Sequence, residues 1–310
     1  MKYFFTKQLI LPMILVVFLL GAGCTLQKSN VNVTNANQGA TSDQLPATSD
    51  VLGVILGNSN GTDTTTAQLQ LKNGTTVAFG TVPVLLSGNE HWIDYRNGHL
   101  YGVRFTGTSS AGFLQDFIRV DQNGTVTSLF QGSAARGWVS PDEHYAVAND
   151  NIDPVNVVFI NLLDMSKKEV LLAGAGQPAV PHIVFQGWSS DNAYAWARTE
   201  AYANPQEFYR ITPAGSVTRY RVSSEITLGA SFNPDTAQLV YDTFPEVPAM
   251  EVEGVEKSGV TVQLYLYNVA TSEKKLVATS HGKQFNAKWE SPGSFSYNDP
   301  VTSARTTAKP

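Results

Sequence analysis

Five charged side chains are the best candidates for chemistry in this sequence: Arg104, Asp150, Arg198, Glu200 and Asp242. Each follows a short apolar segment at a comparable place in a recurring pattern, so they are expected to share one surface and bind a ligand there. Asp150, Glu200 and Asp242 are carboxylates. Two carboxylates about 5–9.5 Å apart across a pocket can cleave a glycosidic bond, one as acid and the other as base or nucleophile. Cys24, the one cysteine, offers different chemistry. In an exported chain a single cysteine can form no internal disulfide.

Other motifs read as structure. The histidines His91, His99, His144, His182 and His281 show no paired metal-ligand spacing, and no calcium-loop motif occurs, so neither metal nor cofactor is expected. Gly57-Asn58-Ser59-Asn60-Gly61 fits the G-x-S-x-G of a nucleophile elbow. That motif needs a helix directly after the serine, and Thr62 to Thr66 (TDTTT) is a poor helix. The stretch reads as a glycine-rich loop. Asp142, Asp191 and Asp235 recur inside turns, where a carboxylate accepts hydrogen bonds from the turn's own amides.

The scaffold that must position the five side chains is a repeat. GWVSPDEHYAVA (residues 137–148) returns as GWSSDNAYAWA (187–197), SFNPDTAQLVY (231–241) and KWESPGSFSY (288–297), with a looser copy in HWIDYRNGHLYGV (91–103). Its aromatics Trp92, Trp138, Trp188, Phe232 and Trp289 recur at intervals of roughly fifty residues, the mark of a propeller or array. They are expected to end the innermost strands and pack between blades. A second hairpin alternates with the first at residues 68–79, 117–130, 158–172, 208–220 and 264–277, around polar turns such as Asn73-Gly74 and Asn123-Gly124. No amphipathic helix follows the amino-terminal segment. Five inner and five outer hairpins predict an all-β, five-bladed propeller. Its loose edges disappear if both ends of the body share one blade, with Gln68 to Phe79 beside Phe285 to Tyr297. Residues 51–56 are left over, as an edge strand or the start of a sixth blade.

The Ser-Pro-Asp turn followed by a hydrophobic strand, best seen at Ser140-Pro141-Asp142, resembles the WD40-like repeats of TolB-type and prolyl-peptidase-type propellers. The likeness covers roughly residues 51–298. Where those repeats place glycine after the aspartate, this chain has Glu143, Asn192 and Thr236. Nothing in the sequence corresponds to the separate α/β domain of TolB or to a peptidase domain.

Ahead of the repeats, a short positive start, an apolar run over residues 9–20 and the small residues Gly21, Ala22 and Gly23 lead to Cys24. A charged start, a short apolar core and a small-residue end describe a signal peptide. With its terminal cysteine the segment resembles the lipobox of bacterial lipoproteins. That resemblance makes Cys24 the lipid-modified first residue of the mature chain and places the body in the cell envelope, on the extracytoplasmic side of a membrane. The expected divisions are a signal peptide over 1–23, a polar flexible tether over 24–50, the propeller over 51–300 and a tail over 301–310.

The chain carries a net charge of −5 and no run of Lys or Arg. Nucleic acid, whose binding rests on neutralising phosphates, is therefore not an expected partner. Four long or chemically marked connections, at residues 106–114, 149–156, 198–206 and 242–260, are expected to gather around the channel mouth, where a rigid scaffold presents variable loops. The expectation is a non-enzymatic binding or scaffold module for a protein or a cell-envelope polymer. The alternative is a glycan-acting enzyme that uses carboxylates at the channel mouth.

Overall fold

Short stretches with apolar residues at every second position, separated by Asn-Gly, Ala-Gly and Ser-Pro-Asp turns, can bury one face only as strands of stacked sheets. The computed structural model describes residues 45–59, 61–86, 93–109, 112–150, 156–172, 183–199, 206–222, 230–243 and 259–310. Cys24, the amino-terminal segment, Trp92 and Glu200 lie outside the described residues.

Among the described residues twenty-two strands form six sheets in chain order, and every pairing is antiparallel between sequence neighbours. The first sheet holds β1 (Val51–Leu56), β2 (Thr64–Leu71) and β3 (Thr76–Pro83). The second holds β4 (Asp94–Arg96), β5 (His99–Ser109), β6 (Gly112–Asp121) and β7 (Val126–Gly132). The third holds β8 (Ala135–Val139), β9 (Tyr145–Asp150), β10 (Asn156–Asn161) and β11 (Lys167–Leu171). The fourth holds β12 (Ile183–Trp188), β13 (Ala195–Thr199), β14 (Gln206–Ile211) and β15 (Val217–Val222). The fifth holds β16 (Ser231–Asn233), β17 (Gln238–Thr243), β18 (Thr261–Asn268) and β19 (Lys274–His281). The sixth holds β20 (Lys288–Ser291), β21 (Ser294–Asn298) and β22 (Arg305–Ala308).

Five apolar clusters join these sheets in succession. Leu69, Phe79, Leu100 and Ile118 join the first to the second, and Tyr101, Phe117, Ala146 and Ile160 the second to the third. Val147, Phe159, Phe185 and Tyr209 join the third to the fourth. Trp196, Phe208, Phe232 and Tyr241 join the fourth to the fifth, and Val240, Leu264, Phe285 and Phe295 the fifth to the sixth. Successive antiparallel meanders of three or four strands, each packed on the next, match the construction of a β-propeller.

The expected seam is not there. Leu69 pairs with Val54 and Val77, whereas Phe295 pairs with Trp289 and Ala308, so the two ends of the body lie in different sheets. The reason is that both inner strands already have two neighbours. Residues 51–56, left over in a five-blade count, occupy one side of β2, and Arg305–Ala308, expected as a tail, occupies one side of β21. Among the described residues there are six sheets, where five paired hairpins were expected to share five blades.

The tether is also shorter than expected at its end. Residues 45–50 pack on the second sheet: Tyr95 Oη donates to Pro46 O at 2.6 Å and Asn97 N to Thr48 Oγ1 at 2.9 Å.

The turns follow their chemistry. Glu143 and Asn192, standing where a glycine was expected, adopt φ of 61° and 60°. In the third copy the left-handed residue is Ala237 instead, which spares the β-branched Thr236 that conformation. Asp142 Oδ1 accepts from Ser140 Oγ at 2.6 Å and His144 N at 3.0 Å, holding its own turn. Asp235 reaches further and accepts from Ser190 N of the preceding sheet at 2.6 Å. Gly61 to Asp63 form a turn that leads into β2 at Thr64, with no helix among the described residues of this stretch.

Candidate ligand-binding site

The first strands of the second, third and fourth sheets, β4, β8 and β12, line a cavity of about 290 Å³. Trp138, Phe185 and Trp188 give it aromatic walls, and Asp94, Arg96 and Gln186 give it polar ones. The two walls of the third and fourth sheets carry the same Gly-Trp pair. Gly137 has no room for a side chain, because a Cβ there would stand 2.3 Å from the ring of Phe117. At Gly187, φ is 128° and the β12–β13 register slips between Phe185 and Gly187. Such a bulge re-aims the neighbouring side chains. Gln186 then folds its amide back onto its own strand, donating to Val184 O at 3.1 Å and Phe185 O at 3.2 Å.

The aromatics are held against one another. Trp138 and Phe185 have ring centroids 4.3 Å apart, and Trp188 donates from Nε1 to Trp138 O at 3.4 Å. Buried Trp188 packs between the third and fourth sheets, as expected of the repeated aromatics. Trp138 is only half-buried and also forms part of the cavity wall.

A chain of close polar contacts ties the second sheet to the β8–β9 turn of the third beside the cavity. Tyr101 Oη donates to Glu143, Glu143 Oε1 lies 2.6 Å from His99 Nδ1, and His99 Nε2 lies 3.5 Å from Asp121 Oδ1. Burial, followed by the hydrogen bond to Glu143, raises the Tyr101 phenol well above its ordinary range. Inside the cavity Arg96 Nε sits 2.9 Å from Asp94 Oδ2. Burial nevertheless raises the Asp94 carboxyl above the ordinary aspartate value, outweighing the lowering by Arg96.

Three of the residues expected from sequence are committed to partners within the fold. Arg104 Nη2 is 2.9 Å from Asp116 Oδ2, and buried Asp116 also accepts from Ser128 Oγ at 2.5 Å. Asp150 accepts from Ser133 N at 2.8 Å and Ala134 N at 3.1 Å, closing the entry to β8. Asp242, only 2% exposed, accepts from Phe285 N at 2.9 Å, and burial pushes its pKa up to about 6. Arg198 is half-buried on β13. Glu200 lies outside the described residues. Asp150 and Asp242 belong to different sheets, the third and the fifth, each engaged with backbone amides.

Asp94, Arg96 and Gln186 were missed because they lie in or beside copies of the repeat, at positions read only as strand and turn, and no chemical motif marks them. The signal that could have located the cavity is the Gly-Trp pair, which occurs in two of the five repeats, Gly137-Trp138 and Gly187-Trp188. Both pairs line it.

No family model matches the sequence, and no curated protein matches it. Solved structures do. An oligogalacturonate lyase in complex with manganese is similar at 12% identity and a TM-score of 0.50, over 79% of this chain and 73% of that one. The oligogalacturonate lyase of Vibrio parahaemolyticus is similar at 10% identity and a TM-score of 0.52, over 78% and 71%. TolB from Acinetobacter baumannii is matched at 15% identity and a TM-score of 0.44, over 83% and 64%. The two lyases show a shared fold. They also correct the expectation of a non-enzymatic protein: this fold is carried by proteins named as enzymes, so the lack of a recognisable catalytic set in the sequence is no ground for excluding catalysis.

Proposed function

We propose that the protein is a membrane-anchored lipoprotein of the cell envelope whose six sheets form six blades, and that the cavity between β4, β8 and β12 binds a sugar unit of an envelope polymer. The observation that carries this reading is the cavity itself. A sugar ring has an apolar C–H face and a rim of hydroxyls. Trp138, Phe185 and Trp188 suit the face, and the Asp94 carboxyl, the Arg96 guanidinium and the Gln186 amide suit the rim. Its volume of about 290 Å³ lies at the lower edge of the range for small-molecule sites. That size suits one ring better than a folded chain.

Anchoring rests on the lipobox-like segment ending at Cys24. Among the described residues no helix is long and apolar enough to cross a membrane.

Titration with envelope-derived oligosaccharides, followed by tryptophan fluorescence, tests the reading. Saturable binding is expected, weakened at least about tenfold in Trp138→Ala, equivalent to about 1.4 kcal/mol. Equal affinity in the variant, or no binding across a glycan array, would overturn it.

A second reading, a glycan-acting enzyme, is favoured by the raised pKa of Asp94 in a ring-sized cavity. Burial shifts that carboxyl upward, the direction a general acid needs. Turnover of an oligosaccharide, abolished in Asp94→Asn with binding retained, would decide for it.

A further inference from the structure

Among the described residues Arg198 has no hydrogen-bond or ion-pair partner, although its Nε and Nη1 are buried. It stands on β13, paired across the ladder with Val184 and Phe208. Strand alternation puts it on the same face as Trp196, toward the fifth sheet, where the Trp196 ring lies 5.1 Å from Phe232. The indole Nε1 of Trp196, a residue 1% exposed, is likewise buried without an acceptor. Burial lowers the Arg198 pKa, yet a guanidinium stays charged in a protein.

The rest of the body treats buried charge differently. Asp116 is neutralised by Arg104, and Glu207 receives Tyr209 Oη at 2.6 Å together with Arg219 and Arg221. A half-buried cation with two of its nitrogens out of solvent and unbonded is costly in a fold that elsewhere supplies counter-charges. The repeat also sets the position of Arg198. It is the fourth residue after Tyr194, which closes its turn by accepting from Ser189 N at 2.9 Å. The corresponding residue of the third sheet is Asn149, fourth after Tyr145, which is 1% exposed and has neither amide atom bonded among the described residues. This level lies at the carboxyl ends of β9 and β13, away from the turns that border the aromatic cavity.

We propose that Arg198 is the centre of an oxyanion site, separate from the aromatic cavity, which receives a carboxylate or phosphate group of a ligand between the fourth and fifth sheets. The planar guanidinium fork matches the two oxygens of either group, and Trp196 stands on the same face with a further donor.

The test is thermal unfolding of the full-length protein in sodium chloride, sodium phosphate and sodium acetate at equal ionic strength, for wild type, Arg198→Met and Arg198→Lys. Phosphate stabilises proteins in general, so the quantity read is the difference between wild type and Arg198→Met in each salt. An anion-dependent rise of about 2–4 °C is expected in wild type. It should vanish in Arg198→Met and shrink in Arg198→Lys, which keeps the charge and loses the fork. In chloride alone Arg198→Met should melt no lower than wild type, since it removes an unpaired charge. A response to phosphate alone identifies a phosphate-bearing ligand, one to acetate alone a carboxylate-bearing ligand, and one to both the shared oxyanion chemistry. If Arg198→Met does not fold, phosphorus NMR titration of wild type against Arg198→Lys reads the same difference for phosphate. Identical anion responses in wild type and variants, or none in wild type, would refute the site.

Discussion

Asp242 shows how one buried side chain sets a pH dependence. Its carboxyl accepts from Phe285 N at 2.9 Å, and burial pushes its pKa up to about 6, above the ordinary aspartate range near 4. With the folded-state value above the unfolded one, the fold favours the protonated form. The stability contributed by this group is complete below about pH 4 and is lost as the pH rises through 6. Asp242→Asn keeps an acceptor for the Phe285 amide and removes the titration. Urea unfolding between pH 4 and 7 should therefore show wild type losing about 2–3 kcal/mol relative to the variant. Parallel stability curves would show that the carboxyl is not held as described. The residue type was legible in the sequence, whereas its place inside β17, and not after a strand, was not. The engagement with Phe285 was not, because it joins the fifth sheet to a segment 43 residues further on.

At the scale of elements, strand existence was read well and strand partnership less well. Alternation and turn residues locate the hairpins, since both signals are local. Arg305–Ala308 carries almost no apolar residue and has a burial pattern that is half exposed, so it reads as tail. What makes it a strand is pairing with β21, reinforced by Arg305 Nε donating to Ser296 Oγ at 2.9 Å and Nη1 to Asn286 O at 2.8 Å. Removing residues 304–310 should expose the edge of β21 and cost about 2–4 kcal/mol, from several hydrogen bonds at about 0.5–1.5 kcal/mol each. Hydrogen exchange at residues 295–298 should speed up accordingly. Unchanged exchange would return the segment to the status of a tail. The aromatic cavity has the same origin. Its Gly-Trp pairs are visible in the sequence, whereas Asp94 and Gln186, far apart in the chain, come together only when three sheets pack.

For the whole molecule, five apolar clusters link the six sheets of the described residues in succession, and the lipobox-like segment gives the proposed means of holding them at a membrane. Cys24→Ser should release the protein from the membrane fraction, because two or more acyl chains at that residue are what would make attachment stable. Retention in the membrane would point to an uncleaved helix in place of a lipid.

The central claim, that the cavity between β4, β8 and β12 is where a ligand binds, is tested most directly by the indole N–H resonances of the tryptophans. Trp138 and Trp188 line the cavity, while Trp196 and Trp289 stand in other clusters. Titration with the bound oligosaccharide should move the Trp138 and Trp188 signals along one saturable curve and leave those of Trp196 and Trp289 in place. Saturable shifts confined to Trp196 or Trp289 would put the ligand elsewhere and contradict the account.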